Sequence, residues 1–265
     1  MKYCMRYDNR SRHINDFDEV ILNYTHKTSE IIDHVAKYKQ EQRIILNVAE
    51  MDNEELLKCK DIFAAAGEVA NIAIMGDYAQ RAALKELGLP FFFQGVIDSW
   101  DELNASISLG ASDVFVGNEF AFNMRTISEI CKRNGVKVRA YANVAQSSSP
   151  ALEGTITHFY IRPEDIKFYE EFVDVIEFYG PLNRQDVLYD IYTNGKWIGY
   201  LNNLILGFDT EINNTVITGH FGALRTNCGK RCSYSDSCNV CTRFVSVNNT
   251  LQEAYNEHEA DEVSV

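Results

Sequence analysis

The sequence predicts an α/β fold, a (β/α)8 TIM-like barrel with a C-terminal cysteine-rich extension, from three observations. Short β-branched or aromatic runs alternate with longer helix-patterned stretches up to about residue 193 of a 265-residue chain. Most of these runs are continuously apolar, as expected of parallel strands covered on both faces. Beyond them the pattern breaks into a segment that carries four of the seven cysteines between Cys228 and Cys241.

The predicted strands are, in order, EVILNY (Glu19–Tyr24), RIILNV (Arg43–Val48), NIAIM (Asn71–Met75), FFFQGV (Phe91–Val96), DVFVG (Asp113–Gly117), VKVRAYA (Val136–Ala142), THFYI (Thr157–Ile161) and DVIEFY (Asp174–Tyr179). Helix starts are signalled by Thr28/Ser29, Asp52/Asn53 and Asp98/Ser99, residues whose side chains accept from an otherwise unpaired first-turn amide. Gly67, Gly88, Gly110 and Gly135 follow helix patterns, where a left-handed cap favours glycine. Repeated strand–helix units imply right-handed crossovers and a parallel sheet, and eight of them a barrel. A doubly wound open sheet is the main alternative, yet no strand is followed by GxGxxG or GxxxxGK[ST]. The unit between Ala142 and Thr157 is too short and broken for a good covering helix.

Residues 1–193 therefore read as the barrel, 194–247 as an extension and 248–265 as an acidic tail. KWIGYLNNLI and NNTVITGHFG in the extension look like strand pieces. No apolar run approaches the roughly 20 residues of a membrane span, and the start MKYCMRYDNRSRH lacks a signal-peptide core, so a cytoplasmic protein without membrane contact is expected. The net charge of −13 disfavours broad adhesion to nucleic acid. A local exception surrounds the cysteines: Arg225, Lys230, Arg231 and Arg243 face a single acid, Asp236, between Phe221 and Val247. These four are candidate phosphate contacts, because such contacts contribute salt-dependent affinity for a nucleic-acid backbone.

The cysteines, spaced C-x3-C-x5-C-x2-C, are Cys228, Cys232, Cys238 and Cys241. Thiolates this close in an intracellular chain point to a metal, as Zn2+ or as an iron–sulfur cluster. The spacing decides between neither. Cys59 and Cys131 fit buried helix positions instead.

In a barrel, chemistry belongs at the carboxyl ends of the strands. Glu50, Glu119, Asn143, Arg162 and Glu177 stand there and are the candidate catalytic residues, able to hold a polar substrate and position an acid or base. Asp77 follows the third predicted strand and is the nearest candidate for a carboxylate nucleophile. No HExxH or GxSxG pattern is present.

The stretch SLGASDVFVGNEFAFNMRTISEICKRNGVKVRAYANV (Ser108–Val144) resembles a segment of the collagenase-like peptidase family, with Gly110, Asp113, Val114, Gly117, Gly135, Lys137, Val138 and Asn143 at the matching positions. GHFGALRTNCGKRCSYS (Gly219–Ser235) is loosely similar to that family's cysteine signature. Several members take part in hydroxylation of RNA bases or of a quinone precursor and hold an iron–sulfur cluster through four cysteines. The resemblance thus implies a 4Fe-4S cluster on Cys228, Cys232, Cys238 and Cys241 and an enzyme that modifies RNA or a nucleotide-like substrate. Two other readings stand beside it: a non-catalytic barrel whose zinc knuckle serves assembly or recruitment, and a zinc-containing base-exchange enzyme of the transglycosylase type.

Overall fold

The structure, a computed structural model, describes residues 1–7, 10–23, 42–49, 70–75, 78–117, 120–144 and 161–206, with isolated positions elsewhere. Strands β1 (Lys2–Arg6), β2 (Glu19–Asn23), β3 (Arg43–Ala49) and β4 (Ala70–Met75) lead to helix α1 (Tyr78–Glu86). Next come β5 (Phe91–Ile97), α2 (Trp100–Ser108), β6 (Asp113–Val116), α3 (Met124–Arg133) and β7 (Lys137–Tyr141). A short helix α4 (Ile166–Tyr169), β8 (Val175–Glu177), α5 (Leu182–Asn194) and α6 (Leu201–Leu204) complete the described elements. Every strand pairs in parallel with the next, and β8 pairs with β1, so the α/β sheet returns on itself in a TIM-like arrangement.

Period-2 alternation sorts the strand side chains into two cores. Val20, Leu22, Ile44, Leu46, Phe91, Val114, Val138 and Ile176 face outward and join Leu84, Leu103, Ile127, Cys131 and Leu188 of the helices in the larger one. Cys4, Ile21, Ile45, Phe92 and Val175 point inward and form a small apolar layer inside the barrel. Both faces are thus buried, which explains why the strands read as unbroken apolar runs. Helix α2 starts as expected at Ser99, whose Oγ accepts from the Glu102 amide at 3.2 Å, while Glu102 accepts from the Asp98 amide at 2.8 Å. This pair satisfies the first-turn amide of Glu102 and the amide of Asp98 just ahead of the cap. Gly135 ends the turn after α3 at φ +69°, a conformation only glycine adopts without strain.

The ring differs from the sequence expectation at one strand. KYCMR supplies β1, and β7 pairs directly with β8. The expected strand Thr157–Ile161 has no place between them: Ile161 is irregular backbone whose amide donates to the Ala142 carbonyl at 2.9 Å, and 157–160 lie outside the described residues. β1 escapes notice because its buried centre, Cys4 and Met5, is only a pair of residues flanked by Lys2 and Arg6. A second correction falls at KWIGYLNNLI, where Leu201–Leu204 are helical rather than extended. Leu201 and Leu204 are buried on one side of that turn, a spacing that suits helix and not strand. Beyond it, the Leu206 amide donates to the Asn143 carbonyl at 2.8 Å and ties the segment to the end of β7. The cysteine-rich stretch 215–247 lies outside the described residues.

Candidate active site at the barrel mouth

Inside the barrel, charge is layered from bottom to top. At the amino-terminal end, Glu19 opens β2, Arg43 opens β3 and Asp113 opens β6, and Arg139 reaches down to them from the middle of β7. Arg139 Nη1 donates to Glu19 Oε2 at 2.5 Å and to Asp113 Oδ2 at 3.0 Å. Arg43 Nη1 donates to Asp113 Oδ2 at 2.5 Å and to Glu19 Oε1 at 3.2 Å. Two cations and two anions balance in a nearly dry interior, with both guanidinium groups over the Phe92 ring. Burial alone would raise the Asp113 carboxyl, but the charges of Arg139 and Arg43 outweigh it and hold the group below its ordinary value. Being at the bottom face, this plug reads as a stability device.

The carboxyl-terminal end is different. Glu177, the last residue of β8, is fully buried, and neither of its carboxylate oxygens accepts a hydrogen bond. Its neighbour is Arg6 at the end of β1, whose Nε lies 3.6 Å from Oε1, an ion pair too long for a hydrogen bond. Burial pushes the Glu177 carboxyl above its ordinary value, and the charges of Arg139 and Arg6 only partly offset that. Tyr141 stands beside Glu177 in the β7–β8 register, packed on Phe115 at 4.2 Å between centroids and edge-on to Tyr179 at 5.4 Å. Burial raises its phenol too, so it stays protonated and able to donate. The Tyr179 ring is 43% exposed, and Arg6 lies 6.0 Å from its centroid. A bulge in β5 between Phe93 and Val96 reshapes the same rim.

Of the five candidate catalytic residues, the structure describes three and brings one to this mouth. Asn143 does not offer its amide to a substrate: it donates to the Tyr179 carbonyl and accepts from the Tyr179 amide, both at 2.8 Å, prolonging the β7–β8 pairing by side chain. Arg162 is paired with Asp165, at 2.7 and 3.0 Å, and reaches Asn214 at 3.4 Å, so its guanidinium braces the turn at Pro163 rather than meeting Glu177. Glu50, Glu119, the basic residues Arg225, Lys230, Arg231 and Arg243, and the cysteines Cys228, Cys232, Cys238 and Cys241 lie outside the described residues, as does Asp77. Among the described residues no group of three His, Cys, Asp or Glu could hold a metal. Cys131 is buried on the inner face of α3 as expected, and burial pushes its thiol up to about 12.

Sequence reasoning missed Arg6, because the strand that carries it went unseen. It also missed the plug of Glu19, Arg43, Asp113 and Arg139, although a charged residue inside four apolar runs was the available signal. No helix among the described residues is long and apolar enough to cross a membrane.

No protein-family profile matches the chain, and no curated protein does. Among solved structures it is similar to the U32 peptidase Mk0906, at 16% identity and a TM-score of 0.46, over 68% of this chain and 93% of that one. A glycerol uptake operon antiterminator-related protein from Thermotoga maritima gives 14% identity and 0.45, over 73% and 99%. An enolase from Pseudomonas fluorescens with bound magnesium, potassium and tartrate gives 12% and 0.43, over 62% and 38%. At these values the likenesses assign no activity.

Proposed function

We propose that this protein is an enzyme that modifies a nucleic acid or nucleotide-like substrate at the carboxyl-terminal mouth of its barrel, with Glu177 as the acid–base group. The observation that carries the reading is a fully buried carboxylate at a strand end with neither oxygen hydrogen-bonded, its charge offset in part by Arg139 and by Arg6, whose Nε lies 3.6 Å away. An unsatisfied buried polar group is costly and needs a reason, and a carboxyl that burial raises above its ordinary value is better suited to holding a proton for transfer. Tyr141 donates from one side, and Arg6 stabilises negative charge that develops on the substrate.

In the finer form of the proposal the fold is a complete (β/α)8 barrel whose C-terminal extension holds a metal on Cys228, Cys232, Cys238 and Cys241. That part rests on cysteine spacing and on the family resemblance. A 4Fe-4S cluster would supply redox chemistry, and hydroxylation is the reaction type the resemblance implies. Zinc in a closed four-thiolate shell would instead be structural. Arg225, Lys230, Arg231 and Arg243 would then meet substrate phosphate.

The test is nucleoside mass spectrometry on RNA from cells lacking the gene, complemented with wild type or with Glu177→Gln. A modified nucleoside restored by wild type and not by the variant is expected. An identical profile in all three strains would leave the barrel as a non-catalytic assembly module. Iron and zinc analysis with a visible spectrum, on protein purified without oxygen, decides the metal.

A further inference from the structure

The mouth holds three hydrogen-bonding functions in one place, and their order is informative. Glu177 presents two adjacent acceptors, both unbonded, and an ionised carboxylate can only accept. Arg6 presents a donor fork directly beside them, and its side chain is 30% exposed while Glu177 is wholly covered. The Arg6 backbone is pinned, since its amide donates to Gln185 Oε1 of α5 at 2.8 Å. Its guanidinium lies between Glu177, 3.6 Å from Nε, and the Tyr179 ring, 6.0 Å away, and so faces the same opening as the carboxylate. Two aromatic rings, Tyr141 and Tyr179, flank the pair.

A ligand that satisfies this set has one acceptor followed by two adjacent N–H donors on the edge of a planar ring. A guanidinium or amidinium cation has the two donors but would bring positive charge against Arg6. A neutral ring with a carbonyl, a ring N–H and an exocyclic amine in sequence meets every requirement. We infer that the mouth recognises a 2-amino-4-oxopyrimidine edge, as borne by guanine or by a pterin, with Arg6 on the ring carbonyl, Glu177 on the two N–H groups and Tyr179 against the ring face. The inference rests on the mouth being the functional site. It is supported by the general habit of reading unstacked bases on their Watson–Crick edge and stacking them on aromatic side chains.

The test is titration calorimetry with guanosine, inosine, adenosine and neopterin against the full chain. Guanosine or neopterin should bind, and the better of the two identifies the source, base or pterin. Inosine lacks the exocyclic amine and should bind at least about tenfold more weakly than guanosine, because one acceptor of the site is left unpaired. Glu177→Gln, which replaces one acceptor by a donor, should weaken the preferred ligand by roughly 10–100-fold, in the range of a lost bidentate base contact. Arg6→Lys, which keeps the charge beside Glu177 but loses the planar donor fork, should weaken it about tenfold with a folded, cooperatively melting protein, so a fold defect in the first variant cannot imitate the result. Equal binding of all four ligands, no binding, or indifference to both substitutions overturns the inference. Loss of the RNA modification in Glu177→Gln without any guanosine or neopterin binding would sink this inference and leave the proposed function standing; Glu177-dependent binding with an unchanged RNA profile would do the reverse.

Discussion

Replacing Arg139 by methionine removes one cation from a four-charge group that has no bulk solvent to appeal to. Arg139 is wholly buried, as are Glu19 and Asp113, and only Arg43 has slight exposure. Methionine keeps much of the volume, so the loss is mainly electrostatic. Two carboxylates then share Arg43 alone, and one buried negative charge is uncompensated. Breaking a buried pair in this way costs about 3–5 kcal/mol. For a chain of this size each kcal/mol lowers Tm by roughly 2–4 °C, giving a drop on the order of 6–20 °C. Differential scanning calorimetry at pH 7 measures it. The acid side provides an independent check. Asp113 is held below its ordinary value of 3.8, so its contribution is complete above that value and is lost as pH falls through the folded one. Arg139→Met should flatten that acid limb, because less of the contribution remains to be lost. Adding Glu19→Gln should restore part of the stability by matching the charges again. A single variant melting within about 2 °C of wild type would refute the reasoning, since it would mean that the interior is wet enough to screen the group.

Glu177→Gln should behave in the opposite sense. The folded carboxyl is raised, so its contribution is full below the ordinary value of 4.5 and is lost as pH rises through the folded one. The variant should therefore melt higher than wild type at pH 7, equivalent to roughly 0.5–2 kcal/mol, the usual exchange of function for stability; a lower Tm would show that the Arg6 pair outweighs the burial. The Cys131 thiol, raised from 9.0 to about 12, should make stability fall as pH climbs from 9 towards 12, and Cys131→Ala should remove that fall in alkaline denaturant titrations. Ser99→Ala should cost about 1 kcal/mol in urea unfolding through the lost N-cap. Gly117→Ala should cost less than the cap, because the added Cβ would meet only the carboxylate end of the exposed Asp98 side chain, which can turn away; the same urea titration compares the two.

Much of the architecture was legible in local pattern. Burial on two faces leaves its mark residue by residue, so β2, β3, β5, β6 and β7 are visible as apolar runs. The Ser99 cap and Gly135 are equally local, since each depends on a single turn. β1 was not legible, because a strand of which two residues are buried hydrophobics carries too little periodicity to be seen. For the proposed site, the rule that chemistry gathers at carboxyl strand ends pointed to Glu177, which the structure places at the end of β8. It also selected Asn143 and Arg162, which the fold spends on Tyr179 and Asp165.

What the sequence by itself determined is the alternation of strands and helices, the parallel sense of the sheet and the position of one buried glutamate at the end of its last strand. What only the tertiary structure decided is who stands beside that glutamate. Arg6 and Glu177 are separated by most of the barrel in sequence and by 3.6 Å in space, because the ring closes β8 onto β1. The same closure gathers Glu19, Arg43, Asp113 and Arg139 from four strands into one neutral plug. Local propensities are set within a few residues, whereas a charge in a low-dielectric interior is settled by whichever partner the closed ring brings within reach.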